Sequence, residues 1–229
     1  MKSYIIHIKN HSASKAQARD CLLSCAKKFD AELFAGVTPD TLGDYELKYS
    51  FIEMNPSRAN DYFFQNQKKY KTKKSCFMNH VRLWHKCVER NEPIAVLEHD
   101  AICKRKWDNV EFDECLILNL NSAVYFNRNI KKNLEGKYTY KHHGTTDVRE
   151  ADYKFKYWKE NIWKGGTLIP GTAAYAITPK GAQRLIDSVY KNGWDQSDFF
   201  INGNNVHLQY ASPEYFKFNE RNLKTSWGI

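Results

Sequence analysis

The chain contains 229 residues, 42% of them hydrophobic and 27% charged, which is the composition of an ordinary globular protein. That composition excludes a disordered tail, a collagen-like repeat or a coiled coil as the main structure. Lysine and arginine exceed aspartate and glutamate by nine charges (35 against 26), and this excess favours polyanionic partners: nucleic acid, nucleotide phosphates or an anionic membrane surface.

Two further features of the composition limit the class of protein. The apolar runs are shorter than the ~18–20 residues of a membrane span and the ~7–15-residue core of a secretory signal. We therefore expect no stable membrane insertion and a cytoplasmic location. The six cysteines form no Cys-x-x-Cys pair, so we expect reduced, mostly packed thiols and no zinc ribbon.

The first part of the chain predicts a strand, a helix and a second strand. Residues 3–9 are strand-like, residues 15–29 have apolar side chains at helical spacing, and residues 31–37 end in a glycine and a Thr-Pro-Asp turn signal. This order is typical of an α/β nucleotide-binding architecture. Residues 38–75 are polar and irregular, and we expect them to form an excursion over the surface that can be helical in part.

The next two elements are the clearest. Residues 76–90 predict a helix with Ser75 as its N-cap, because their apolar side chains recur at i, i+3, i+4 and i+7. Asn91-Glu92-Pro93 ends the helix. Residues 94–97 are then entirely apolar, as in a central strand that is covered on both faces.

The second half of the chain predicts a strand at residues 115–120, a second surface excursion at 127–166, a strand at 168–178 and a helix that begins at Pro179. We find no internal repeat. The sequence therefore predicts one α/β domain, residues 1–229, with a mixed Rossmann-type sheet flanked by helices and with residues 38–75 and 127–166 as excursions.

Glu98-His99-Asp100 is the most informative motif because it directly follows the apolar strand. Titratable side chains at a buried strand end are costly unless they are used. In open α/β sheets this end faces the ligand crevice. If the strand continues through Asp100, both carboxylates point the same way and suit a hard divalent cation that bridges phosphates. A salt-bridged strand end that faces solvent is the alternative.

The stretch from residue 76 to residue 101 resembles glycosyltransferase family 25, which includes lipooligosaccharide glycosyltransferases and collagen galactosyltransferases. The family shows a helix with Ser-His, a tryptophan in its next turn, a proline, an apolar strand and Glu-Asp-Asp. Here Asn79-His80 replaces Ser-His and Glu98-His99-Asp100 replaces Glu-Asp-Asp. Weaker resemblances follow in the family's order at residues 4–8, 35–37, 171–182 and 194–198.

The resemblance implies a GT-A-like fold and an inverting, metal-assisted transfer of a sugar from a nucleotide donor, for which we predict a UDP-linked sugar with Mn²⁺ or Mg²⁺. The predicted metal ligands are Asp100, Glu98 and His207, although His207 also reads as an ordinary strand histidine. Asp198 is the first candidate for the general base and Asp195 the second; both also suit a helix cap or turn.

We expect further residues at the donor site. His80 is also compatible with a packed core histidine, since it lies on the apolar face of its helix. His99 is a further candidate ligand in place of the family's middle acid. The predicted donor-binding set is His7, Lys9, Gly36, Asn79, His80, His99, Gly171 and Thr172.

The acceptor is predicted from the basic residues. Five lysines lie between residues 68 and 74, and other basic residues alternate with aromatic ones, which suits phosphate neutralisation and base stacking. The favoured acceptor is therefore a hydroxymethylated pyrimidine, hydroxymethylcytosine, in bacteriophage DNA, with the enzyme in the host cytoplasm. A lipopolysaccharide or other glycan is the alternative acceptor, and a non-catalytic nucleic-acid-binding protein is the third reading. The predicted polyanion-binding residues are Lys68, Lys69, Lys71, Lys73 and Lys74.

Overall fold

The computed structural model describes residues 1–50, 52–54, 66–119, 144–147 and 173–219. The predicted site residues Gly171 and Thr172 lie outside the described residues, as does most of the 127–166 excursion. In the described ranges, the strands are β1 (Lys2–His7), β2 (Asp30–Ala35), β3 (Ile94–Glu98), β4 (Ala101–Cys103), β5 (Cys115–Ile117), β6 (Gly144–Asp147), β7 (Ala174–Ile177), β8 (Leu208–Ser212) and β9 (Phe216–Phe218). The helices are α1 (Ser12–Cys25), α2 (Leu42–Lys48), α3 (Gln67–Arg90), α4 (Pro179–Asn192) and α5 (Ser197–Phe200).

A seven-stranded mixed sheet organises the described residues, with strand order β2-β1-β3-β7-β5-β8-β6. β1 runs parallel to both β2 and β3, β7 runs antiparallel to β3 and β5, and β8 runs parallel to β5. The carboxyl ends of β1, β3, β5 and β8 therefore lie at one edge, the carboxyl edge, and their amino ends lie at the other, the amino edge. A small second sheet pairs β4 with β9. The predicted mixed α/β sheet is confirmed.

Helices cover both faces of this sheet, so its central strands are apolar on both sides. In β3, Ile94 and Val96 face one cluster, which α3 and α4 cover, while Ala95 and Leu97 face the other, which α1 and the small sheet cover. This burial explains why residues 94–97 are continuously apolar. It also means that the first polar positions after β3 emerge at the carboxyl edge.

One boundary differs clearly from the sequence prediction. Helix α3 begins at Gln67, with Asn66 as the cap whose side chain accepts the Lys69 N–H at 3.1 Å. Ser75 lies inside the helix, buried, and donates to the Lys71 carbonyl. The polarity of the lysine-rich segment predicts an excursion that can be helical in part, and the structure extends the helix through it because lysine and glutamine are good helix formers. The predicted end is confirmed, since Asn91 adopts the left-handed conformation that stops the helix.

Candidate active site

Glu98 and Asp100 lie at the carboxyl edge, where β3 ends. Glu98 is the last residue of β3, and the chain turns at His99 and Asp100 before it enters β4. The strand does not continue through Asp100, so the turn brings the two carboxylates to this edge. The Asp100 carbonyl accepts the Asn219 N–H at 2.8 Å, which ties the turn to the end of β9.

Asp198 approaches these two residues from α5. Burial raises the pKa of Glu98 well above its ordinary value of 4.5, and the charges of Asp100 and Asp198 raise it further. Burial also raises the pKa of Asp100; His99 opposes this rise and Asp198 adds to it. Like charges that share a partly desolvated space disfavour ionisation. Three acids from two separate elements therefore converge on one site.

The carboxylate of Asp100 has an unsatisfied oxygen. Its Oδ1 is buried and has no hydrogen-bond partner within the described ranges. A buried carboxylate oxygen without a partner is costly, and a bound ion or water is one way to satisfy it. Divalent cations that bind nucleotide phosphates take one or two protein carboxylates and complete their shell with phosphate and water oxygens. Glu98 and Asp100 fit such a cation, whereas no cluster of three acidic, histidine or cysteine ligands occurs in the described part of the chain.

Asp195 and Asp198 have different surroundings, although only three positions separate them. Asp195 is fully buried, and its Oδ1 accepts the N–H of the next residue, Gln196, at 2.7 Å. Asp198 is half-buried in the first turn of α5 and lies near the Glu98–Asp100 pair. Asp195 therefore shapes the turn that leads into α5, and Asp198 reaches the site.

Titratable groups of opposite sign flank the acids at the end of β1. Burial lowers the pKa of His7, and Lys9, Lys15 and His99 lower it further. Burial also lowers the pKa of His99, while Asp100 raises it and His11 lowers it. Lys9 is exposed, and His7 Nδ1 has no partner in the part of the chain that is described. The carboxyl edge thus combines acids with cationic or protonatable groups.

Gly36 and Asn79 hold the loop after β2 in place. The Gly36 N–H donates to the His7 carbonyl at 2.8 Å, and a Cβ on Gly36 would lie 2.9 Å from Ile8 Cδ1 and 3.1 Å from that carbonyl. The Asn79 side chain accepts the Val37 N–H at 2.6 Å and donates to the Ser75 carbonyl at 2.9 Å. Asn79 is buried by these contacts, so it ties the β2 loop to α3.

His80 is also buried, with 2% of its surface exposed. Its Nδ1 lies 2.9 Å from the Tyr175 hydroxyl, which also accepts the Trp84 indole N–H at 2.9 Å. Its Nε2 lies 3.8 Å from Glu98 Oε1. Burial lowers the pKa of His80 to about 4, so its ring is neutral at physiological pH. His80 therefore lies behind Glu98, inside the core.

Comparison with known proteins identifies the family. A model described as glycosyltransferase family 25 (LPS biosynthesis protein) matches residues 1–201. The chain belongs to glycosyltransferase family 25. The predicted family is therefore confirmed, and this family 25 member is an enzyme, a glycosyltransferase that uses a nucleotide-sugar donor. No curated protein matches the sequence.

Two solved structures are similar to this family 25 chain. Mouse xyloside xylosyltransferase 1, in its apo form, has 13% identity and a TM-score of 0.43, with 87% of this chain and 80% of that chain covered. The galactosyltransferase LgtC, in complex with donor and acceptor sugar analogues, has 11% identity and a TM-score of 0.42, with 92% of this chain and 73% of that chain covered. The strand order of this chain itself confirms the predicted mixed sheet flanked by helices, and the GT-A-like class stays a prediction.

His207 does not join the candidate site of this glycosyltransferase. It precedes β8 at the amino edge, where its Nδ1 lies 2.9 Å from Asp113 Oδ2 and its N–H donates to Glu114. Ile94 and Leu208 lie in the same row across the sheet, so four residues of strand, roughly 13 Å, separate this row from Glu98. The predicted metal ligand His207 therefore lies apart from Glu98 and Asp100, and the sequence alone does not show which end of its strand it occupies.

The five lysines of residues 68–74 do not form one surface, because α3 distributes them around its circumference. Lys74 is buried and forms an ion pair with Glu46. Lys73 donates to the Gln196 side chain at 2.6 Å, beside α5. Lys68 and Lys71 are exposed and Lys69 is half-buried. The segment therefore presents a smaller exposed basic surface than the sequence indicates.

The sequence prediction missed Cys76 and Tyr175 as neighbours of the site. Cys76 is the exposed one of the six free cysteines. Although the residue has exposed surface, desolvation of the thiol group itself and the charge of Glu98 raise its pKa to about 11. Lys73 opposes this rise and Asp198 adds to it. The sequence contains one signal for Cys76: residues 73, 76 and 80 have the spacing i, i+3 and i+7, which places Cys76 on the same face of α3 as His80. No comparable signal existed for Tyr175, which is distant in sequence.

No helix in the described residues is long and apolar enough to cross a membrane.

Proposed function

We propose that this family 25 glycosyltransferase catalyses an inverting, metal-assisted sugar transfer at the carboxyl edge. The convergence of Glu98, Asp100 and Asp198, with Asp100 Oδ1 buried and unsatisfied, is the observation that carries the proposal. Glu98 and Asp100 would hold the divalent cation. When bound, such a cation neutralises the charge that develops on the leaving nucleoside diphosphate.

Asp198 is proposed as the general base. The acceptor oxygen attacks the anomeric carbon from the face opposite the diphosphate, its proton passes to the Asp198 carboxylate, and the diphosphate leaves with the electrons of the broken C–O bond. An alcohol has a pKa far above 7, so a positioned base is needed. Asp195, which is buried in the preceding turn, is assigned to positioning Asp198.

The donor diphosphate is proposed to lie between the acids and the end of β1. Lys9 and the histidines at positions 7 and 99 supply cationic or protonatable groups on that side. Gly36 and Asn79 contribute indirectly, because they hold the loop after β2 against β1. We keep as predictions the donor-binding roles of Gly171 and Thr172, a UDP-linked donor, and Mn²⁺ or Mg²⁺ as the cation.

The acceptor is proposed to be a hydroxyl group of a glycan. The family description names lipopolysaccharide biosynthesis, and Lys74 and Lys73 have internal partners, which reduces the basic surface available to DNA. Hydroxymethylcytosine in phage DNA is the second candidate, supported by the net charge of +9 and by the exposed Lys68 and Lys71.

Three acceptors offered in parallel test the proposal: a lipooligosaccharide, hydroxymethylcytosine DNA and unmodified DNA. Each reaction contains a mixed nucleotide-sugar pool and Mn²⁺, and the mass added to each acceptor is measured. We expect a sugar mass on the glycan that disappears in Asp100→Asn and persists in Asp113→Asn. A mass on the hydroxymethylated DNA alone would reverse the choice of acceptor, and the absence of transfer and of donor hydrolysis would refute the function.

A further inference from the structure

A chain of buried polar side chains leads from the core to Glu98. Trp84 and His80 lie one turn apart on α3, and both contact the hydroxyl of Tyr175 on β7 at 2.9 Å. The imidazole also stacks on the Tyr175 ring, with centroids 5.8 Å apart and an interplanar angle of 19°. Glu98, with 35% of its side chain exposed, follows at the rim. All three core side chains are at most 2% exposed, so bulk water does not compete for these contacts.

The chemistry of these groups assigns the protons. An indole N–H only donates, so the Tyr175 oxygen is an acceptor toward Trp84. The hydroxyl has one proton, and its other partner among the described residues is His80 Nδ1. If Nδ1 also carried a proton, the oxygen would face two donors and its own proton would have no acceptor in this network. The arrangement that satisfies every group has Tyr175 donating to Nδ1, and a neutral imidazole then carries its proton on Nε2.

We propose that Tyr175 fixes His80 as the Nε2–H tautomer, and that this N–H positions the Glu98 carboxylate for its ligand. His80 is then a positioning residue that does not touch the donor. The Nε2–Oε1 distance of 3.8 Å exceeds a hydrogen bond, so the proposal requires the two groups to move closer when the ligand of Glu98 binds. The effect on transfer rests on the proposed function, whereas the tautomer is a property of the protein by itself.

This role agrees with the general behaviour of ligand-binding carboxylates. Their orientation is set by outer partners, and loss of such a partner typically lowers metal affinity or activity by about 10–100-fold. Glu98 Oε1 faces His80, and the exposed side of the carboxylate remains available at the carboxyl edge. The buried location of His80 also explains why a histidine is found on the apolar face of α3.

The tautomer is tested by NMR on protein labelled with ¹⁵N-histidine, in which long-range ¹H–¹⁵N spectra distinguish Nε2–H, Nδ1–H and imidazolium. The His80 signals are assigned by their loss in His80→Gln. We expect the Nε2–H form at pH 7, and we expect Tyr175→Phe to shift the population toward a mixture. An Nδ1–H tautomer or an imidazolium in the unmodified protein would overturn the proposal, whether or not any sugar is transferred.

The positioning role is tested by kinetics as a function of Mn²⁺. His80→Gln keeps an N–H near the position of Nε2, whereas His80→Leu removes it. We expect His80→Leu to weaken the apparent Mn²⁺ affinity by about 10–100-fold and His80→Gln to recover most of that loss. His85→Leu, on the same helix but stacked on Tyr49, is the matched control and should match the parent.

Equal losses in folded His80→Gln and His80→Leu, or no loss in either, would refute the positioning role. A parent enzyme without any transfer or donor hydrolysis would refute the proposed function instead, and the NMR result would still decide the tautomer. If His80→Leu fails to fold, the Gln variant and the Tyr175→Phe spectrum still decide the proposal.

Discussion

Both edges of the main sheet carry acidic residues, but the pKa values of these acids are raised at the carboxyl edge and lowered at the amino edge. At the amino edge, Glu114 is only 1% exposed, yet it accepts the His207 N–H at 2.7 Å and pairs with Arg184 at 2.9 Å and Lys180 at 3.1 Å. Burial by itself would raise the pKa of Glu114, but these partners lower it overall. Neighbouring Asp113 also has a lowered pKa, because it pairs with His207 and Lys180.

At the carboxyl edge the acids have an excess of like charge. Glu98 and Asp100 have raised pKa values, and Asp100 Oδ1 has no partner within the described ranges. Burial of a carboxylate therefore does not distinguish a functional site from a structural one in this protein. The distinction lies in whether the protein itself supplies the partners. The acids of the amino edge have partners within the protein, and in the proposed function a cation and a diphosphate would supply the partners at the carboxyl edge.

The largest expected effect is that of Asp198→Asn on turnover. An amide retains the size of the carboxylate but cannot accept the acceptor's proton, so kcat should fall by about 10²–10⁴-fold. Donor affinity should change little, because the base acts on the acceptor side. Steady-state kinetics with a separate donor-binding titration checks this, and a collapse of donor affinity would reassign Asp198 to the donor site.

Asp100→Asn should reduce transfer by about 10²–10³-fold, since it removes charge that acts on the leaving group. The variant should remain folded, because the parent carboxylate has an unsatisfied buried oxygen. Asp113→Asn is the matched substitution at the amino edge, and it should leave the rate per folded molecule within about twofold of the parent. Similar losses in the two variants would remove the functional distinction between the edges.

Alkylation of Cys76 should block the site selectively, since the other five cysteines are buried. A bulky maleimide at this position would lie beside Glu98 and Asp198, and activity should fall at least about tenfold. The raised pKa of about 11 makes the thiol slow to react at pH 7, and the rate should rise about tenfold per pH unit below that value. Cys76→Ser should be active and should keep its activity in the presence of the maleimide. If the maleimide inactivates Cys76→Ser, the sensitive thiol is a different cysteine.

Glu114→Ala should destabilise the fold by about 1–3 kcal/mol, because it removes the acceptor of the His207 N–H and the buried partner of Arg184 and Lys180. The lowered pKa of Glu114 means that its charge stabilises the folded state above the ordinary value of 4.5, and that this contribution is lost as the pH falls through the folded value. Urea unfolding at pH 7 and at pH 3 should therefore show a smaller difference between variant and parent at low pH. An undiminished difference at pH 3 would contradict this.

The smallest expected effect is a gain of stability in Glu98→Gln. A raised pKa means that the folded state holds its proton more tightly than the unfolded state, so the parent loses stability as the pH rises above 4.5. The variant avoids this loss, and its Tm in EDTA should equal or exceed that of the parent, with the advantage growing from pH 4.5 toward neutrality. A lower Tm at pH 7 would show that the Glu98 charge stabilises the apo protein.

Much of the carboxyl edge could be predicted from the sequence. An apolar run followed directly by acids locates a strand end, and Ile94–Glu98 is such a strand with Asp100 in the turn after it. The family resemblance added Asp198, which belongs to a separate element. Both predictions depend on local sequence patterns, which can be recognised without knowledge of the tertiary fold.

Other features depended on pairings that no local pattern contains. The edge on which His207 lies follows from the direction of β8 in the sheet, and its sequence neighbours do not specify that direction. The contact of Tyr175 with His80 joins residues 95 positions apart. The start of α3 at Gln67 is hard to predict for a different reason, because a run of lysines is also typical of a solvated loop.

Binding of Mn²⁺ tests the difference between the two edges most directly. The EPR signal of free Mn²⁺ is measured while protein is added, with and without UDP as the diphosphate, for the parent, Asp100→Asn and Asp113→Asn. The parent and Asp113→Asn should deplete free Mn²⁺ when UDP is present, and Asp100→Asn should not. Depletion that survives Asp100→Asn, or that is lost in Asp113→Asn, would contradict the assignment of the carboxyl edge as the active site.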